Sequence, residues 1–558
     1  ASILVTFSEP VAFASLSGPA LQLTDLTSGA GVTTTFQHLE GERPVLLTPA
    51  SGLQTDRQYR LTVQSVTDNG GNVMTAPVTT TFWTVDTIPP QIVAVDFPEG
   101  TSFVSGDDVP VVVTATDERG VDLVEVTITE WTWSDAAQPY DFAGLAPVVS
   151  EATAIPVEVT VTDVFGNTST AAPSIQVSPR ANVTSPTVAL ECVRELGFVV
   201  PGVAAEIRLL TSDDEAVESL RLYVDGEEIE RVTPVNLPDT EQGFLWTPPD
   251  SVPQGTAFVV RLESRDFAGN VTSREVSLQV PTGTILRGGG SLFDDHSGQG
   301  LTLAEGVYTA REPLHLASLR IARGATLVTV GQPEAAGVLE VVADQVDLAC
   351  GAEVDVTGLG YPGATAPSWV AAAGGDAGGS HGGSGRSGVP GEAYGSVYEP
   401  SLAGAGGAAT SGGPGGGVVL VEAGELFLDG TVLARGVGNV AGANEASAGA
   451  GGAVYLNAGS LSGSGTVDAS GGDQNRCSIA FGEGSGGGGR IAIHAGALVG
   501  FDPDVQTTAR GGTQFQCDSP AGYAGAGTVL TKLGGVLHGR LRVDNGTAED
   551  GSVREGPA

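Results

Sequence analysis

The sequence predicts an all-β protein in which three tandem β-sandwiches are followed by a glycine-rich parallel β-helix. Three observations predict it. Residues 1 to 282 read as short apolar–polar alternations broken by turn residues, with almost no helical periodicity. One aspartate-glycine turn phrase recurs three times in that span, at intervals close to the length of one sandwich. From residue 283 a second regime begins, in which a glycine-led, strand-like segment returns every 35 to 38 residues.

Bulk composition narrows the classes. A chain of 558 residues is too long for one core and has room for three to five domains. It holds 82 glycines and 32 prolines yet is 41% hydrophobic, too apolar for plain disorder and too glycine-rich for an ordinary enzyme. Acidic residues number 65 against 25 basic ones, a formal charge of −40, and every basic residue but Lys532 is arginine. Nucleic acid is disfavoured as a partner, because phosphate neutralisation needs a basic surface. An acidic surface favours solubility and cation binding. No apolar run reaches the roughly 18 residues of a membrane span, and no signal peptide is present. The first residue is Ala rather than Met, as expected of a piece of a longer chain.

The turn phrase reads "TDNGGN" at 67–72, "TDVFGN" at 162–167 and "RDFAGN" at 265–270, so Asp68, Asp163 and Asp266 are 95 and 103 residues apart. That is the length of an immunoglobulin-like (Ig-like) sandwich. A further alternating strand follows each phrase: "VTTTFWTV", "APSIQV" and "REVSLQV". Proline-bearing joints come next, "VDTIPPQ" (85–91), "VSPRANVTSP" (177–186) and "VPTG" (280–283). Proline rejects helix and stiffens such a joint. The expected modules are Ig-like sandwiches over 1–86, 87–180 and 181–282, with the β-helix over 283–558.

The first module, from "ILVTFSEPVAF" to "TTTFWTVDTIPP", resembles the bacterial Ig-like repeat of S-layer-type and other large surface proteins. The resemblance implies a further strand ahead of "ILVTFSEPV", which the chain starts too late to supply, so the pairing of the first strand is open. Modules two and three resemble bacterial Ig-like domains more loosely, through "ATDERGV" (115–121), "VTDVFGN" and "SRDFAGN".

In the second regime the copies are "GVVLVEAGELFLDGTVLARG" from Gly417, "GAVYLNAGSLSGSGTVDASG" from Gly452, "GRIAIHAGALVGFDPDVQTTARG" from Gly489 and "GTVLTKLGGVLHGRLRVDNG" from Gly527. An earlier copy starts at Gly337, 80 residues before Gly417, which is two periods or one with a large insertion. Period-two patterning puts Val419, Val454, Ile491 and Val529 in one inward file, with Glu422, Asn457, His494 and Lys532 in an outward column. A second short strand recurs as "TVLA", "TVDA" and "LRVD". Each coil takes about 20 residues, and the glycine-rich remainder is expected to loop out at a corner. Together with "GSGGGGRI", the copies resemble glycine-rich β-helical repeats of large secreted bacterial proteins and of some plant extracellular proteins, over roughly 283–546. Residues 301–330 resemble the opening coil of such a helix. The insert at 361–416 reads as an ordered glycine-packed lobe or a flexible loop, with order favoured because prolines, Tyr394 and Tyr398 interrupt it.

Cys477 lies 25 residues after Gly452 and Cys517 lies 28 after Gly489, nearly equivalent corners of adjacent coils. That predicts a disulfide between them, and a disulfide implies export. Cys192 and Cys350 fall in different modules and are expected to be buried free thiols.

The DxxGN turns offer carboxylate, amide and backbone oxygens in a tight loop, the donors a hard cation such as Ca2+ requires. The candidate set is Asp68 with Asn72, Asp163 with Asn167 and Asp266 with Asn270, joined by Asp86, Asp117, Asp122 and Asp213 near the joints. The competing reading is that Asp caps the turn while Gly and Asn supply positive φ. "TEWTWSDAAQPYDF" (129–142) puts Trp131 and Trp133 on one strand face with Tyr140 close behind, a core face or a binding epitope for sugar or protein. For catalysis, Asp294 and Asp295 are chain neighbours that point apart if extended, and no nucleophile elbow, HExxH or P-loop is present. The sequence therefore points to an extracellular, non-enzymatic structural or adhesive protein of a bacterial surface, with Ca2+ at its joints. Its expected partners are cell-surface proteins, glycans or further copies of itself. The alternative is a carbohydrate-active β-helix enzyme with Ig-like accessory modules, which needs paired carboxylates across a groove.

Overall fold

The computed structural model describes residues 2–17, 19–41, 43–293, 296–331, 336–408, 410–438, 447–476, 484–516, 519–543 and 545. They divide into two compact units, 1–183 with 267–270, and 184–266 with 271–558. Cys477, Cys517, Asp294 and Asp295 lie outside the described residues.

The first unit holds two sandwiches. In the first, Ile3–Thr6 pairs antiparallel with Pro44–Pro49, so the opening strand finds its partner inside its own module. Thr34–His38 completes that sheet, and Leu21–Asp25, Gln58–Val63 and Val78–Trp83 make most of the other. Alternation delivers Val45 and Leu47 from one sheet and Leu21, Leu23 and Leu61 from the other into a single core. The second sandwich packs a sheet centred on Asp108–Thr116 against one centred on Val121–Ile128 and Thr153–Asp163.

Of the two readings of the aromatic stretch, burial favours the core face over the binding epitope. Trp131 and Tyr140 are core residues, 6% and 4% exposed, and Trp133 is half-buried against the same core. The reason is register. Trp131 is the cross-strand partner of Ile128, which is fully buried, and partners on adjacent strands share a face.

The second unit opens with the third module. Its long strand Ala205–Val224 pairs with Leu237–Trp246 along its first half and with Ala257–Asp266 along its second, shifting register between Ser212 and Val217. From Thr284 onward the chain winds between two parallel sheets. One runs Thr284–Leu286, Gly300–Leu303, Leu314–Ile321, Val338–Leu348, Val418–Leu428, Ala453–Ser462, Arg490–Val499 and Thr528–Leu533. The other takes one short strand from each coil, from Gly290–Leu292 to Thr507–Thr508. Val419, Val454, Ile491 and Val529 are register partners on successive strands and no more than 5% exposed. Glu422, Asn457, His494 and Lys532 are likewise register partners. Val338–Leu348 pairs directly with Val418–Leu428, so the 80-residue gap is one coil with an insertion. The winding starts at Thr284, ahead of the stretch expected to open it.

The glycine-rich segments are not corner loops. They lie side by side as extended chains whose successive N–H groups point in three directions. Ala448 and Gly451 donate to Gly484 and Gly487, Gly449 and Gly452 to Val437 and Ala434, and Ala450 to Ala405. Gly484 and Gly487 in turn donate to Asp376 and Gly379, Gly486 and Gly489 to Gly472 and Ala469, and Gly488 to Gly525. A lateral bonding period of three with no internal bonds is polyproline II geometry. The 361–416 insert supplies several of these chains, so it is an ordered part of the bundle. Side chains are excluded by contact: a Cβ on Gly487 would sit 2.0 Å from Gly383 O.

Cys192 and Cys350, expected to be free, form a disulfide with Cα atoms 5.3 Å apart, tying the third module to the wound body. They meet because the Cys192–Leu196 loop lies against the first parallel sheet. Arg194 ion-pairs with Asp347 there, and its guanidinium stacks 3.4 Å from the Phe427 ring centroid. Val200, Ala304 and Ala322 form a small shared core beside it.

Candidate functional site

Three of the sequence-selected carboxylates converge in the first unit. Asp86 follows the strand Val78–Trp83, at the start of the proline joint. Asp117 opens the turn between Asp108–Thr116 and Val121–Ile128, and Asp163 ends Thr153–Asp163. One oxygen of each lies within 4.8 Å of the others. Ligands on opposite sides of a Ca2+ ion, at about 2.3–2.6 Å each, stand about this far apart. Asp86 and Asp163 are buried, 5% and 1% exposed.

Local bonds fix each carboxylate. Asp163 Oδ1 accepts from the backbone N–H of Phe165 and Asn167, at 2.8 and 2.9 Å, and its Oδ2 accepts from Asn167 Nδ2 at 2.7 Å. Burial alone raises the Asp163 pKa, but these hydrogen bonds outweigh it and hold the carboxyl below its usual range. Asn167 Nδ2 also reaches Asp86 O at 3.3 Å, linking turn to joint. Asp117 Oδ1 accepts from the N–H of Arg119 and Gly120 at 2.7 and 3.1 Å.

Sequence reasoning missed Arg119. Its Nε is 3.8 Å from Asp86 Oδ2, and its guanidinium lies 3.5 Å from the Trp83 ring centroid. Against three carboxylates one guanidinium leaves a formal charge of −2, which suits a divalent cation. A lone arginine inside an acidic turn, "TDERG", was the signal available.

The other candidates fare differently. Asp68 spends Oδ1 on Asn72 N–H and Oδ2 on Asn72 Nδ2, both at 2.7 Å, which lowers its pKa and matches the turn-cap reading. Asp122 is exposed and is not one of the three converging carboxylates. In the third module Asp213 and Asp266 are 8% and 1% exposed. Asp213 repeats the place of Asp117: each accepts from the N–H two residues on, and Val217 faces Asp266 in register as Val121 faces Asp163. The place of Arg119 is therefore taken by Glu215. Asp213 Oδ2 is buried with no hydrogen-bond partner, and burial, with the charges of Asp266, Asp214 and Glu215, pushes its carboxyl up. Asn270 Nδ2 donates to Asn182 O at 3.2 Å.

Residues 1–84 match the family model described as bacterial Ig-like domain, a match confined to the first module. No curated protein matches the chain. Among solved structures it is similar to the fibronectin(III)-like modules of CbhA from Clostridium thermocellum, at 19% identity over 34% of this chain and 94% of that one, with a TM-score of 0.17. It is also similar to domains 1–6 of the surface layer protein SbsC, at 12% identity over 51% of this chain and 53% of that one, with a TM-score of 0.14. A third similarity is to a structure concerning host cell surface retention of a 1.5-MDa bacterial ice-binding adhesin, at 17% identity over 50% of this chain and 98% of that one, with a TM-score of 0.20. Scores this low establish neither a shared arrangement nor a shared activity.

Proposed function

We propose that the chain is an extracellular, non-enzymatic structural or adhesive protein of a bacterial surface. On this reading, Ig-like modules, stiffened at their joints by a divalent cation, carry a glycine-rich parallel β-helix. The observation that carries it is the Cys192–Cys350 disulfide between the third module and the wound body. Such a bond persists in oxidising compartments, and what it secures is the mechanical continuity of two modules. The bacterial Ig-like match over 1–84 supports the same reading.

The cation belongs to the proposal through the Asp86, Asp117 and Asp163 convergence and the orphaned Asp213 oxygen. Scanning calorimetry of the full chain in EDTA and in millimolar CaCl2 tests it. A ligand held at 100 times its Kd adds about 2.7 kcal/mol to the folded state. The expected result is an upward shift of a melting transition with Ca2+, smaller in Asp163→Asn. Equal melting in both buffers overturns the cation. Free thiols at Cys192 and Cys350 in protein exported to an oxidising compartment, or sugar release in a polysaccharide screen, overturn the structural role.

A further inference from the structure

Among the described residues, the second parallel sheet has one strand fewer at this end than the first. Its last strand is Thr507–Thr508, whereas the first sheet continues through Thr528–Leu533 and ends on Arg540–Arg542, which turns back antiparallel. Beside Thr507–Thr508 lies a cavity of about 310 Å3. That is the small end of ligand sites, which run roughly 300–1,000 Å3. Arg435, Arg510, Arg542, Asp468 and Asp504 all line it. Three of the chain's 25 basic residues thus gather at one cavity of a protein whose formal charge is −40.

The lining is only partly satisfied. Arg542 is spent on Thr507 O at 2.6 Å and on Asp504 Oδ1 at 3.5 Å. Arg435 meets Asp468 through Nε alone, at 2.6 Å. Arg510 is exposed and makes no ion pair among the described residues. Thr508 Oγ1 is buried without a hydrogen-bond partner.

We propose that this cavity binds a carboxylate-bearing sugar, with Arg510 and the free edge of Arg435 holding the carboxylate and Thr508, Asp468 and Asp504 taking hydroxyl groups. A guanidinium fork matches a carboxylate in plane and spacing. Asp468 and Asp504 are paired with arginines but keep lone pairs for hydroxyl protons, so a polyhydroxylated monoanion uses more of the lining than phosphate does. The proposal names a partner class for the adhesive reading and rests on it only for the origin of the sugar.

Titration calorimetry on the full chain, in EDTA, compares D-galacturonate with D-galactose, acetate and inorganic phosphate. Galacturonate binds, and galactose, acetate and phosphate are each at least about tenfold weaker, the scale of one charge-assisted hydrogen-bond pair. Arg510→Gln weakens galacturonate about tenfold and leaves the melting temperature unchanged, as an exposed side chain should. No galacturonate binding, acetate or phosphate binding as tightly, or an Arg510→Gln variant that binds like the parent each overturns the proposal. The Ca2+ melting shift is read separately, so either reading can fail alone.

Discussion

Replacing Gly451 with alanine should unravel the glycine bundle without touching the apolar core. The φ of Gly451 lies outside the left-handed range that strains other residues, so the penalty for alanine there is contact. Its Cβ would stand 1.9 Å from Ala469 O and 2.6 Å from Gly489 N. Reaching even 3.0 Å moves the Ala469 segment by about 1.1 Å (3.0 less 1.9). That segment is held by Gly489 N–H to Ala469 O at 2.8 Å, Ala469 N–H to Thr508 O at 2.9 Å and Gly471 N–H to Arg510 O at 2.8 Å. Losing two such bonds costs about 2 kcal/mol, and overpacking adds about 1–3 kcal/mol. Removing glycine's freedom from the unfolded chain returns about 0.4–1 kcal/mol. The net destabilisation is about 3 kcal/mol. Gly52 is the control, because a Cβ there meets nothing within 4 Å, and Gly52→Ala should be neutral or slightly stabilising. Hydrogen exchange on peptides covering 447–452 and 484–489, with urea melts of both variants, reads the difference. A Gly451→Ala protein within about 0.5 kcal/mol of the parent would show that these glycines serve flexibility rather than close packing.

Three further outcomes are expected. Reducing Cys192–Cys350, or replacing both with serine, removes a 158-residue loop closure; chain entropy sets an upper bound of about 5 kcal/mol, read as a lower melting temperature of the second unit in dithiothreitol. His381 is fully buried, its Nδ1 2.9 Å from Gly451 O, and burial, helped by the Arg490 charge, pushes its pKa down to about 4. Because the folded pKa lies below the ordinary 6.5, the stability His381 contributes is complete above pH 6.5 and is lost as pH falls towards 4, up to about 3 kcal/mol. His381→Gln should flatten that part of the melting profile, while Asp347, pushed up to about 6 by burial, acts in the opposite sense in both proteins. Asp213→Asn removes a buried, orphaned charge, so it should raise the melting temperature in EDTA and reduce the gain on adding Ca2+. A variant less stable than the parent in EDTA would mean the carboxylate is satisfied without a cation.

Two carboxylate clusters separate residue type from geometry. Asp68, Asp163 and Asp266 stand in one phrase, and their chemistry is the same on the page of letters. Among the described residues, Asp163 is the one of the three with two other carboxylates within 4.8 Å, because Asp86 and Asp117 arrive from a joint and from a neighbouring turn. Arg119 and Glu215 occupy equivalent places in neighbouring modules and set opposite local charges, a difference visible only once Asp117 and Asp213 are seen to play one part.

The Val419, Val454, Ile491 and Val529 file was legible from alternation and period alone, because a side chain's face on a strand is set by counting residues. The turn phrases and proline joints likewise announced short strands, since glycine and proline act on their own backbone. Glycine runs carry no such count: a residue with no side chain shows no face, and its purpose lies in how closely another chain approaches. The three-way hydrogen-bond lattice, the meeting of Cys192 with Cys350 across 158 residues, and the inward turn of Trp131 were therefore decided by tertiary packing. Each depends on which distant backbone arrives alongside, and that is settled by the assembled sheets.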